Sequence, residues 1–177
     1  MSEDLAAQIE SWFRRHDDGE FAILLPNRLE RQGEIENADT IVYTTKPACV
    51  SRMQSLASGS AIAIAGGYGL PDVAALKTLP KHAEWLFVGD ADPPDLLIFA
   101  WLRTHYPIQW RGVCDAMLPA NCSAITIALS PSERAAVPLL NSLCPDYREQ
   151  IGPRCAALLT EGLKIELEGA LATRPGE

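Results

Sequence analysis

Apolar positions along this chain follow two rhythms, one helical and one of short uninterrupted runs. Leu5, Ile9, Trp12 and Phe13 recur at helical spacing behind Ser2, a natural cap, with acids filling the first turn. The spacing predicts a helix ending near Arg15-His16, before Asp17-Asp18-Gly19. A short apolar run from Phe21 to Leu25 stops at Pro26, and the polar residues 27–38 read as an exposed connection.

From Thr40 onward the chain reads strand, helix, strand, helix. Thr40 to Thr44 is β-branched and aromatic, as strands are. Val50, Met53 and Leu56 give residues 48–57 a helical stripe. Ala61 to Ala65 is an uncharged apolar run, as expected of a strand buried on both faces, and Gly66-Gly67-Tyr68-Gly69 breaks it. A short helix over Asp72 to Leu79 precedes a third strand, Trp85 to Val88. Pro93 opens a helix through Arg103, and Ile108 to Val113 and Ala124 to Ala128 read as two more strands. Two helices close the chain, Pro131 to Leu143 and Pro153 to Leu171. Ser130 or Ser132 caps the first of them. The second carries an apolar stripe of Ala157, Leu158, Leu163, Ile165 and Leu167. Repeated β-then-α units predict an α/β fold with a mainly parallel central sheet and helices on both faces.

Composition narrows the class. At about 150 residues per domain, 177 residues predict one domain. Within it, 1–38 form an N-terminal helix and connection, 39–128 the α/β core, and 129–177 C-terminal helices packing on that core. Apolar residues make up 47 % and charged residues 21 %, which speaks for a folded globular chain. Fifteen basic against 23 acidic residues give −8, which excludes a broadly basic nucleic-acid coat but not DNA contact through a local patch or a bound metal. No apolar run approaches the ~18–20 residues of a membrane span, and the acidic start is unlike a signal peptide. Five cysteines without a CxxC spacing read as free thiols of a reducing cytoplasm.

The sharpest chemical feature is Gly89-Asp90-Ala91-Asp92-Pro93-Pro94, at the carboxyl end of an expected buried strand, where open α/β sheets place their sites. Residues i and i+2 of a strand face the same way, so Asp90 and Asp92 can offer two carboxylates to one hard cation. A metal so held would stabilise charge on a phosphodiester. The same residues have a structural reading. Asp92 before Pro93 is a good helix N-cap, and Asp95 suits the positive end of the helix dipole. The glycines of Gly66-Gly67-Tyr68-Gly69 suit either a tight turn or close backbone approach to a ligand. Lys46 at a strand end suits either a phosphate or solvent. His16, His82 and His105 follow no metal-ligand spacing, and no basic stripe interleaves the four tryptophans.

The stretch from Thr40 to Asp115 resembles the Toprim domain, the metal-binding α/β module of topoisomerases, primases and some nucleases. Gly66-Gly67-Tyr68, Gly89-Asp90-Ala91-Asp92, Leu102-Arg103, Tyr106-Pro107 and Asp115 resemble the Toprim nuclease subunit of Wadjet-type, condensin-like plasmid-defence systems. Gly69-Leu70-Pro71-Asp72, Asp90-Ala91-Asp92-Pro93 and Gly162-Leu163-Lys164-Ile165-Glu166 resemble the A subunit of topoisomerase VI and its meiotic relatives. The resemblance implies Mg²⁺ or Mn²⁺ at Asp90 and Asp92, with Asp95 assisting. It implies the Gly66, Gly67 and Gly69 turn and Lys46 at the border of the site, and DNA together with a protein partner or second copy in a larger assembly. Thr45 stands where the family carries its catalytic glutamate, and Asp95 where it carries a glycine. The chain lacks room for the family's winged-helix module and for the defence nuclease's large N-terminal arm. Two functions are therefore expected: a metal-dependent phosphodiester-processing module, or a catalytically silent relative serving as an interaction subunit.

Overall fold

A computed structural model of the chain describes residues 2–16, 23–50 and 62–173. The chain divides into two compact units, Met1–Val88 with Trp101–Trp110, and Gly89–Ala100 with Arg111–Glu177. Parts of the expected 48–57 helix, including Met53 and Leu56, lie outside the described residues, as do Asp17 to Gly19, Phe21 and Ala61.

The first unit begins with α1 (Ser2–Arg15), whose Ile9, Trp12 and Phe13 are buried as the spacing predicts. Its strands are β1 (Ile23–Leu24), β2 (Glu30–Gln32), β3 (Thr40–Thr44), β4 (Ile62–Gly66), β5 (Leu70–Pro71), β6 (Glu84–Val88) and β7 (Ile108–Trp110). Five of them form one sheet in the order β2-β4-β3-β6-β7. β4, β3, β6 and β7 run parallel, and β2 is antiparallel at the edge. This is the mainly parallel central sheet that the alternation predicts, with β4 and β6 inside it. β1 and β5 form a separate parallel pair.

Side-chain packing explains the order. Register sets Tyr43 opposite Phe87 and Phe87 opposite Trp110, so three aromatics form a row across β3, β6 and β7. The rings stack with centroids 6.2 and 5.2 Å apart. Such cross-strand pairs add to the burial that holds a sheet together. Trp85 stacks on Tyr106 at 3.8 Å, and the Tyr106 hydroxyl donates to the Leu76 carbonyl at 3.0 Å. Two short helices follow strands here, α2 (Pro47–Val50) and α3 (Val73–Leu76). Asp72 caps α3, its Oδ1 accepting the Ala75 N–H at 2.6 Å. α3 ends before the expected Leu79, where the Thr78 hydroxyl donates to the Ala75 carbonyl at 2.6 Å.

The remaining elements are α4 (Pro93–Leu102), β8 (Thr126–Ala128), α5 (Pro131–Leu143), α6 (Tyr147–Ile151), α7 (Pro153–Thr160), β9 (Leu163–Ile165) and α8 (Leu167–Ala172). Leu96 to Leu102 are all buried, as a helix apolar on every side requires. α5 matches its predicted span and starts on a capping box. Ser130 Oγ accepts the Glu133 N–H at 3.2 Å, and Glu133 Oε2 accepts the Ser130 N–H at 2.7 Å.

Two expectations are corrected in the second unit. The strand expected at Ala124 to Ala128 begins only at Thr126 and does not join the parallel sheet. It pairs antiparallel with β9, Thr126 opposite Ile165 and Ala128 opposite Leu163. The helix expected from Pro153 to Leu171 breaks into α7, β9 and α8. Gly162 causes the break. It adopts φ +78°, a conformation that ends helices, and its N–H returns to the Leu159 carbonyl at 3.1 Å. Beyond it, buried Ile165 and Leu167 alternate with Lys164, Glu166 and Glu168, which is strand periodicity. Asp115 caps α7 from a distance, its carboxylate accepting the N–H groups of Arg154 at 3.0 Å and Cys155 at 2.9 Å. Burial, reinforced by Asp115, pushes the Cys155 thiol up, so it stays protonated and inert. None of the five cysteines is joined in a disulfide. No helix among the described residues is long and apolar enough to cross a membrane.

Candidate functional site

The acidic motif leaves β6 at Val88 and belongs to the second unit. Asp90, Asp92 and Asp95 are buried, with relative exposures of 3, 5 and 6 %. Burial of three carboxylates demands partners, because an unpaired buried charge is costly. Asp92 is the N-cap of α4, its Oδ1 accepting the Asp95 N–H at 3.0 Å. Asp95 reaches back, its Oδ2 accepting the Asp90 N–H at 2.6 Å. Asp90 Oδ1 accepts the backbone N–H of Leu167, the first residue of α8, at 2.8 Å. Between the acids, the Ala91 N–H donates to the Ile165 carbonyl at 3.2 Å.

Asp92 Oδ2 faces the ammonium of Lys164 at 3.5 Å. The same Nζ lies 2.7 Å from Glu133 Oε1 and 3.6 Å from Glu166 Oε1. Three carboxylate oxygens thus converge on one cation. Burial, and next the charge of Asp90, push the Asp92 carboxyl up to about 7, with Glu133 adding to the rise. Lys164 and the Asp95 N–H oppose that rise. At Lys164 burial disfavours the ammonium, but Asp92, Glu133 and Glu166 outweigh it, so the amine stays protonated well above its ordinary range.

The pattern of contacts tests the donor set for a divalent ion. At least four of the six oxygens of Asp90, Asp92 and Asp95 face a backbone N–H or the Lys164 ammonium. Among the described residues no group of three or more His, Cys, Asp or Glu side chains is gathered as for a metal. As arranged, each of the three aspartates meets a donor supplied by the protein.

Thr45, Lys46, Gly66, Gly67 and Gly69 belong to the first unit. Thr45 is buried at the end of β3. The Lys46 N–H donates to Thr44 Oγ1 at 2.9 Å, and the Lys46 side chain is half-buried. Gly66 ends β4 directly against β3, where any Cβ would collide with the Thr44 carbonyl oxygen. The Gly67 N–H bonds that same carbonyl at 3.0 Å, and a Cβ on Gly67 would sit 3.2 Å from Leu24 Cδ1. Gly66, Gly67 and Gly69 are buried, and the first two bring the backbone close to Thr44 and Leu24. Only Tyr68 stands out, 69 % exposed.

Sequence reading brought forward the three aspartates, which the fold does gather. It did not assign Lys164, Glu133 or Glu166 to them. The Gly162-Leu163-Lys164-Ile165-Glu166 pattern was the one signal for Lys164, and Ser130 to Glu133 announced only a helix start. No protein-family model matches the chain, and no curated protein is significantly similar to it.

Proposed function

We propose that this chain is a Toprim-type module of the nuclease and topoisomerase kind whose acidic motif serves structure, and that it works as a catalytically silent interaction subunit. The observation that carries this reading is the Asp90 carboxylate, which accepts the Leu167 N–H and so fixes the junction of β9 and α8. Thr45 supports it. A buried hydroxyl is a poor proton acceptor where the resemblance calls for a glutamate. The experiment is a plasmid-nicking assay with millimolar Mg²⁺ or Mn²⁺. The expected result is no cleavage by the wild-type chain. Cleavage that disappears in Asp90→Asn overturns the reading.

A second reading, metal-dependent chemistry on DNA within a larger assembly, is favoured by one observation. The Asp92 carboxyl is pushed up to about 7 by burial and by its neighbour Asp90, the crowding of negative charge that a divalent cation relieves. In that reading Asp90 and Asp92 hold Mg²⁺ or Mn²⁺ and Asp95 assists. The same nicking assay separates the two.

A further inference from the structure

We propose that the acidic centre carries its own cation: the Lys164 ammonium takes the place a divalent ion would hold, and by doing so ties three elements together. The inference rests on the silent-subunit reading and names what makes the centre independent of metal.

The geometry is that of a cation in an oxygen cage. Asp92 comes from the turn before α4, Glu133 from the first turn of α5, and Glu166 from the residue between β9 and α8. Their oxygens lie 3.5, 2.7 and 3.6 Å from one nitrogen. The Lys164 side chain is only 13 % exposed. A lysine is rarely so buried unless paired. Here it projects from a three-residue strand between the buried Ile165 and the Leu163 that pairs with Ala128. Glu133 holds both ends of its carboxylate in use, Oε1 on Lys164 and Oε2 on the Ser130 N–H. One aspartate and two glutamates therefore share a lysine supplied by the chain itself.

A stand-in cation makes a prediction that a plain salt bridge does not. Removing it leaves Asp92, Glu133 and Glu166 around an empty point, and hard oxygen ligands of that kind take Mn²⁺ or Mg²⁺. The experiment measures thermal unfolding of the full chain with EDTA and with 5 mM Mn²⁺, for wild type, Lys164→Met and Lys164→Arg. Wild type is expected to unfold at the same temperature in both buffers. Lys164→Met is expected to lose about 10 °C in EDTA, as when one partner of a buried pair is removed, and to recover part of it in Mn²⁺. Lys164→Arg keeps the charge, and is expected to lose less and to ignore Mn²⁺. A wild-type chain stabilised by Mn²⁺ overturns the proposal, as does a Lys164→Met chain that is unchanged or that Mn²⁺ fails to rescue. If Lys164→Met does not fold, Lys164→Met with Glu133→Gln is measured instead. Recovery of a folded chain by losing the second charge supports the proposal, and no recovery overturns it. DNA cleavage by wild type counts against the silent-subunit reading, whereas these unfolding temperatures bear on Lys164, so the two fail separately.

Discussion

Asp90 and Leu167 lie 77 residues apart and are joined by one hydrogen bond, Leu167 N–H to Asp90 Oδ1 at 2.8 Å. That bond satisfies a backbone donor at the start of α8, and the group is buried. Asp90→Ala leaves it without an acceptor and is expected to cost about 1–3 kcal/mol. Asp90→Asn keeps a carbonyl oxygen in place and costs less. Urea unfolding of the three proteins checks the order. An alanine variant as stable as wild type would show that the bond contributes nothing.

Stability depends on pH through Asp92. Its folded value of about 7 stands above the ordinary 3.8, so between these limits the folded chain binds a proton that the unfolded chain has released. The contribution is fully present below about pH 4 and is lost as pH rises through 7. Asp92→Asn cannot titrate, and is expected to flatten the fall in stability across pH 4–7. Denaturant midpoints at half-unit pH steps measure the slope, and equal slopes for the two proteins would contradict the assignment.

At Thr45 the expected outcome is negative for function. The position is buried, so Thr45→Glu places a carboxylate where its charge is poorly solvated and should cost roughly 2 kcal/mol or more. The variant is expected to unfold earlier than wild type and to gain no nicking activity. Nicking by Thr45→Glu alone would mean that the acidic centre holds metal after all.

Asp115 supplies another test, independent of the acidic centre. Its carboxylate accepts the first two free N–H groups of α7, at 3.0 and 2.9 Å. Asp115→Ala is expected to cost about 1–2 kcal/mol, the upper range for a helix cap, and Asp115→Asn less. The Cys155 thiol reports the change. It should react with a maleimide faster in Asp115→Ala as α7 frays, and unchanged reactivity would place the cap outside the energetics of α7.

The fold was legible wherever the signal is local. Ala61 to Ala65 and Trp85 to Val88 are runs of apolar residues with no competing period, and Ser130 with Glu133 states a helix start within four residues. β9 was not legible, because a strand of three residues carries too little pattern to outweigh its surroundings, and β8 was read as a strand without its antiparallel partner. The helical stripe through Ala157 and Leu158 was carried past Gly162, although Lys164, Glu166 and Glu168 already mark a period of two. At the site the carboxylates could be named from sequence, since Asp-Ala-Asp before Pro-Pro is contiguous. Their partners could not. Leu167 N–H and Lys164 reach Asp90 and Asp92 through pairing of distant segments, and nothing local records it.

The route of the chain through the two units has a consequence for any attempt to divide it. Each unit takes two stretches of chain, and residues 101–110 return to the first after 89–100 have entered the second. A fragment ending at Val88 would lose β7 and turn β6, with Trp85 and Phe87, into a raw sheet edge. A fragment beginning at Gly89 would carry Ile108 to Trp110 with no strand to pair with. Both are sticky ends of the kind that seeds aggregation. A single cut between Val88 and Gly89 therefore yields no free-standing half, and a protease that nicks there should leave the pieces associated.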